Sequence, residues 1–313
     1  MSTWKPTDLP RQQAKTFVVT GGGAGIGYFI AEQLATTGAE VIIAARSEER
    51  ASRALETLSA RDPHARLGFI RLDLADAASI ESASAEIASL TRVDGLILNA
   101  GLKPQTAHQT TTAGDELVFG TNQLGNFALI ARTLPVLERT PGSRLVTMGS
   151  LGYTLAKLDP SDVDHVDAPY RSLPFYTASK YAQMLTAFEL DRRLRAAGSS
   201  TVSVVAHPGV AMDQLAPDRR PALPYVPWPG YRAVPARLFS QGKDAGAWPA
   251  VRAALDARVT GGEMWGPRFL SSRGAPVRER LPRKLRTRDL AREIWDLSVS
   301  RTGLEPLVHG SSR

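Results

Sequence analysis

The chain has 313 residues, 43% of them hydrophobic and 22% charged, with a net charge of +7 and no cysteine. That length can bury one large α/β core or two small ones, and the composition is that of a soluble globular protein. Without cysteine there are no disulfides, no thiol nucleophile and no Cys-ligated zinc, so no metal site is expected; no apolar run is long enough to span a bilayer.

The positive charge is mostly arginine and thickens toward the C-terminus at Arg273, Arg278, Arg280, Arg283, Lys284, Arg286 and Arg288. No zinc-finger, helix-turn-helix or RNA-binding signature accompanies it, so a nucleic-acid partner is not expected. A membrane- or nucleic-acid-binding role for this basic tail is kept as a rival. The first fifteen residues are polar and interrupted by proline, unlike a secretory signal, which leaves the cytoplasm as the default location.

In chain order, short Val/Ile/Leu-rich runs alternate with helical patterns, as in a parallel sheet wrapped by helices. Strands are expected from Thr16 to Thr20, Glu40 to Ala45, Leu67 to Leu72, Val93 to Leu98, Arg144 to Met148 and Thr201 to Ala206. Helices are expected from Ile26 to Thr37, Glu48 to Ala60, Ala77 to Leu90, Asp115 to Leu137 and Tyr176 to Ala197, with a last one from Thr287 to Ser300. Gly38 and Gly198 stand where helices stop. Two segments break the rhythm: the acidic connection from Leu151 to Pro174, and a proline-dense stretch from Ala216 to Pro235 carrying Tyr225, Trp228 and Tyr231. Segments this long without regular structure are often binding loops, and neither looks like a domain boundary. The expectation is therefore a single domain over residues 1–313. It is a doubly wound, Rossmann-type parallel sheet flanked by helices, with a proline-rich substrate lid over about 210–240 and a C-terminal helical extension over about 268–313.

The first strand runs into Thr20-Gly21-Gly22-Gly23-Ala24-Gly25-Ile26-Gly27, which opens the first helix. Glycines permit a tight turn and close approach of a ligand to backbone, and the helix N-terminus offers N–H groups to a pyrophosphate. Further on, Tyr176 and Lys180 stand four apart on a helix and so share one face. An ammonium beside a phenol favours the phenolate, as a proton donor working near neutral pH requires. The same spacing also occurs on solvated helices, so the pair means little alone.

Taken together, the motifs resemble the short-chain dehydrogenase/reductases, and more narrowly their retinol-dehydrogenase-like branch. The resemblance rests on Thr20 to Gly27, on Asn99-Ala100-Gly101, on Asn122 within Thr121 to Gly125, on Ser150, on Tyr176 with Lys180, and on His207-Pro208-Gly209. It implies that Tyr176 exchanges a proton with the substrate oxygen and that Lys180 assists it and holds the cofactor ribose. Ser150 would orient the substrate oxygen, and Asn122 would support a water relay to the lysine. The cofactor residues it implies are Gly21, Gly25, Ile26, Gly27, Asp73, Leu74, Asn99, Ala100, Gly101, Tyr176, Lys180, Pro208, Gly209 and Val210.

The second strand ends in Ala45 and Arg46 rather than in the acid typical of NAD-preferring relatives. A guanidinium there can pair with a 2′-phosphate, which points to NADP(H); the competing reading is a surface cation at the start of a helix. Two departures from the family pattern stand out. Gly22-Gly23-Ala24 replaces the common Ala-Asn-Ser, and Met212 and Asp213 stand near the place of a cofactor-contacting threonine.

The expected activity is an NADP(H)-dependent interconversion of a carbonyl and an alcohol. Tyr225, Trp228 and Tyr231 either wall a pocket for a hydrophobic substrate or pack the lid onto the body. The rival of a different class is a non-catalytic dinucleotide sensor on the same fold. The sequence leaves room for a homo-oligomer.

Overall fold

The computed structural model describes residues 4, 9–164, 170–227 and 234–308. Its first strand, β1 (Thr16–Thr20), is buried along its whole length. Successive residues of β1 face opposite layers: Phe17 and Val19 join one core cluster, and Val18 the other. The same alternation holds in β2 (Glu40–Ala45), where Ile43 and Ile42 divide in the same way. A strand apolar on both faces needs helices on both sides, which is the physical origin of the three-layer arrangement.

Around β1 run α1 (Gly25–Ala35), α2 (Glu48–Arg61), β3 (Arg66–Arg71), α3 (Ala77–Ser89), β4 (Gly95–Leu98), α4 (Leu117–Phe119), α5 (Asn126–Glu138), β5 (Arg144–Met148), α6 (Ser172–Ala196) and β6 (Val202–Ala206). Then come β7 (Ala211–Met212), α7 (Val234–Phe239), β8 (Gln241–Gly242), α8 (Lys243–Gly246), α9 (Trp248–Leu255), β9 (Met264–Phe269), β10 (Arg273–Glu279) and α10 (Arg288–Thr302). The main sheet has the order β10-β9-β6-β5-β4-β1-β2-β3 and is parallel except for β10 against β9. The order reverses between β1 and β4, and ligands of such sheets bind in the crevice beyond the carboxyl ends at that point.

Three differences from the sequence expectations have local causes. The helix expected from Asp115 to Leu137 is instead α4, a wide π segment Gly120–Gly125, and α5. Gly125 presses on the chain after β3, where an added Cβ would lie 2.1 Å from the Leu74 carbonyl oxygen. The Asn126 amide donates to the carbonyls of Thr121 (3.3 Å) and Asn122 (3.0 Å), so a side chain serves carbonyls in the widened turn. The helix expected from Tyr176 begins four residues earlier, at Ser172. Third, β9 and β10 carry Gly266, Pro267, Gly274 and Pro276, residues that argue against a strand, yet they form the antiparallel edge of the sheet.

The last helix seals the α3–α5–α6 side. Trp295 of α10 is fully buried, edge-on to Phe127 (centroids 5.1 Å apart), with the Arg193 guanidinium 4.2 Å above its ring.

Candidate active site

The glycine loop leaves β1 with Gly21 at φ +67° and Gly25 at φ +56°, conformations that favour glycine. Gly27 is held by space instead: a Cβ there would sit 2.3 Å from the Gly21 carbonyl oxygen and 2.4 Å from the Asn99 amide. No side chain caps the N-terminus of α1 at Ala24. The first-turn N–H groups beside Gly25 and the half-buried Ile26 are thus left for an outside acceptor. A backbone cradle closed by glycines and lacking a protein cap fits the pyrophosphate of a dinucleotide.

The Asn99-Ala100-Gly101 segment is tied to this loop by Thr20. The Thr20 hydroxyl accepts from the N–H groups of Asn99 (3.0 Å) and Ala100 (2.9 Å), while the Asn99 amide donates to the Thr20 carbonyl at 3.0 Å. Gly101 must be small, since a Cβ would come within 2.7 Å of Asn122 Oδ1 and 3.5 Å of Lys180 Nζ. This one close approach brings three separately predicted motifs together.

Asn122 lies in the π segment and is fully buried. Its side chain accepts from Leu102 N at 2.7 Å and donates to Leu102 O at 3.0 Å and Ser179 Oγ at 2.9 Å. Lys180, also buried, donates to Met148 O at 3.0 Å and Gln183 Oε1 at 2.8 Å. Burial pulls its pKa from 10.5 down to about 8. Above it on α6 the half-buried Tyr176 directs its hydroxyl at Ser150 Oγ, a long hydrogen bond of 3.4 Å. Ser150, two residues past β5, caps the turn that follows by accepting from Gly152 N at 3.1 Å. Two hydroxyls that meet in this way can both donate to one further oxygen.

The other predicted residues fall along the same edge. Arg46 follows β2, two-thirds exposed, with Nη1 3.8 Å from Asp73 Oδ2. Leu74 is buried in the core, so its side chain serves packing. Gly209 takes φ +63° after β6, and Val210 is 42% exposed, its N–H donating to Ser272 O. Pro208 is held through its carbonyl by Gln241 at 2.8 Å. Tyr225 is 60% exposed and forms no buried wall in this structure. Trp228 and Tyr231 lie outside the described residues.

Three residues of this region carried no motif signal. Gln183, two helical turns after Tyr176, holds the Lys180 ammonium. Lys243 pairs with Asp213, and its Nζ lies 3.6 Å from where a Cβ on Gly25 would be, at the mouth of the glycine loop. Glu279 on β10 stands 3.0 Å from Nε2 of the fully buried His207. Burial alone would raise the Glu279 pKa, but the hydrogen bond with His207 opposes it, and the carboxyl is held below its usual range. Gly209 N donates to His207 Nδ1 at 3.3 Å, so Nε2 carries the proton toward Glu279. Only the Gln183 spacing along α6 was open to detection from sequence; the other two contacts join segments distant in the chain.

Comparison with known proteins adds an independent observation. The profile of the short chain dehydrogenase family matches residues 15–221. Human retinol dehydrogenase 13 is 36% identical over 202 residues, covering 64% of this chain and 60% of that protein. Mouse polyprenol dehydrogenase is 32% identical over 311 residues, covering 96% of this chain and 87% of that one. A crystal structure of an uncharacterized protein from Mycobacterium paratuberculosis superposes with a TM-score of 0.78 at 28% identity, over 98% of this chain and all of that one.

Proposed function

The chain belongs to the short-chain dehydrogenase/reductase family, in its retinol-dehydrogenase-like branch, and we propose that it is an NADP(H)-dependent oxidoreductase interconverting a ketone or aldehyde with an alcohol. The observation that carries this reading is the Tyr176 hydroxyl set on Ser150 Oγ, with Lys180 buried one turn further along α6. When bound, a dinucleotide would supply or accept the hydride. Ser150 orients the substrate oxygen, and Tyr176 gives that oxygen its proton in reduction or takes it in oxidation. Lys180, buried one turn further along α6, would pass the proton on through a water relay that Asn122 supports.

Gly21, Gly25, Ile26 and Gly27 would hold the pyrophosphate, and Asn99, Ala100 and Gly101 the adjoining ribose. Asp73 and Leu74 would flank the adenine. Tyr176 and Lys180 would hold the nicotinamide ribose, and Pro208, Gly209 and Val210 the nicotinamide side. Arg46 favours NADP(H) because its contact with Asp73 is long and exposed, worth at most about 1 kcal/mol. A 2′-phosphate offers the same guanidinium a charge-assisted, two-point bond.

A hydrophobic substrate is supported by the exposed Leu155 and Leu173, which flank Ser150 and Tyr176 in sequence. The relatives named for retinol and polyprenol agree with it. The segment over about 210–240 would act as the lid within one catalytic domain.

The test is a panel of hydrophobic and small carbonyls with NADPH and NADH, comparing wild type, Tyr176→Phe and Arg46→Ala. Tyr176→Phe should lower kcat by about 10²–10⁴, with a much smaller loss of cofactor affinity, about tenfold or less, from the lost ribose contact. Arg46→Ala should weaken NADPH binding about tenfold and leave NADH binding alone. Tight NADPH binding with no turnover of any carbonyl would favour a dinucleotide sensor instead. A wild-type preference for NADH would remove the Arg46 argument.

A further inference from the structure

The sheet ends in an unusual apolar tip. Strands β9 and β10 are joined by Leu270, Ser271 and Ser272, and Ser272 N donates to Phe269 O at 2.9 Å. The two central residues take φ +48° (Leu270) and φ +54° (Ser271), as in a type I′ turn. That turn suits Asn-Gly; a leucine there is strained backbone, and this leucine is 71% exposed. Neither turn chemistry nor core packing accounts for it. Strain at an exposed apolar residue is a reason to look for a function.

The tip is part of a larger surface. Phe269 is 51% exposed, with its ring centroid 6.5 Å from that of Phe239, which is 51% exposed in turn. Leu238, beside it on α7, is 63% exposed. Arg273 joins the two segments by donating to Leu238 O (3.1 Å) and Arg237 O (3.3 Å). Arg237, Arg268 and Arg273 are all exposed around these four apolar side chains. No Asp or Glu occurs from Val234 to Gly242 or from Met264 to Arg278. The patch stands beside the crevice: β9 runs parallel to β6, with Ala206 opposite Trp265, and Val210 N donates to Ser272 O at 2.9 Å.

We propose that this pole docks on an anionic phospholipid bilayer, with Leu238, Phe239, Phe269 and Leu270 in the headgroup–acyl boundary and the three arginines at the level of the phosphates. Apolar side chains inside a cationic rim are the chemistry of interfacial binding. A second copy fits less well, because a two-fold contact would set the arginines of one chain against those of the other. No helix among the described residues is long and apolar enough to cross a membrane, so the contact is peripheral. Docking in this orientation turns the mouth of the crevice toward the bilayer.

The experiment is flotation of the full chain, without cofactor or substrate, on phosphatidylcholine vesicles with and without phosphatidylglycerol. Wild type should float with the anionic vesicles only, and added salt should release it. Leu270→Asn suits the turn and keeps the fold; combined with Phe269→Ser it should cut partitioning about tenfold or more. Arg268→Ala should cut it roughly fivefold. Turnover of a soluble carbonyl, measured in parallel, should be unchanged in both variants, so failure of docking and failure of the oxidoreductase reading are separable. Wild type remaining with the soluble fraction, or the double variant floating as wild type does, overturns the proposal. So does a dimer in solution that these variants dissociate, which would make a second copy the occupant.

Discussion

The floor of the crevice and its rim are built on opposite terms. On the floor, Asn122 and Lys180 are buried polar groups, each bonded to backbone from another segment: Leu102 after β4 for the first, Met148 on β5 for the second. On the rim, Leu155, Leu173, Leu238 and Leu270 are apolar groups exposed to water. Both placements oppose the ordinary preference of the side chain, but only the floor repays it locally, through hydrogen bonds. Side-chain position is thus coupled to folding stability on the floor and uncoupled from it on the rim.

The largest effect that would sharpen this contrast is expected at Asn122. Asn122→Ala strips the partners from Leu102 N, Leu102 O and Ser179 Oγ together, and should destabilise the chain by about 2–4 kcal/mol. Urea denaturation of the chain without cofactor measures it. A loss of activity with no change in midpoint would break the claimed coupling.

Lys180 gives the next effect, with a sign that can be worked out. Its pKa is about 8 in the folded chain against an ordinary 10.5, because burial disfavours the charged form. Below about pH 8 folded and unfolded chains both carry the proton, and the burial penalty is fully present. Between about 8 and 10.5 the unfolded chain holds a proton that the folded chain has lost, so stability rises with pH. The gain reaches about 3 kcal/mol at most. Thermal melts without cofactor should show Lys180→Met ahead of wild type near neutral pH, the difference closing across that window. Parallel curves would show that burial does not govern this lysine.

This division also explains what could be read in the sequence. The floor was legible because backbone constraints write themselves as residue types. Gly27 has no room for a Cβ, Gly101 admits Asn122, and the apolar runs of β1 and β2 require helices on both faces. The spacing of Tyr176 and Lys180 located a shared helical face, though the observed partners of Lys180 are Met148 and Gln183. The rim was not legible. β9 and β10 pair despite prolines and glycines because the open edge of β6 accepts β9, a tertiary fact that no local pattern carries. Lys243 reaches Gly25 from far along the chain. Leu74 shows the converse limit: the motif marked the position, while the side chain belongs to the core.

The smallest expected effect on stability is the sharpest test of the rim. Leu173 opens α6 three residues before Tyr176 and is 52% exposed; Leu155, five residues past Ser150, is 72% exposed. Replacing either by serine removes little buried area, so stability should stay within about 0.5 kcal/mol of wild type. If these side chains receive the apolar part of a substrate, KM for a long-chain carbonyl should rise by roughly five- to tenfold with kcat and the KM of a small carbonyl unchanged. That split is diagnostic, since a packing defect would move the melting temperature and both substrates together. An equal rise for both carbonyls would place the apolar contact elsewhere, and the contrast between floor and rim would then be one of stability alone.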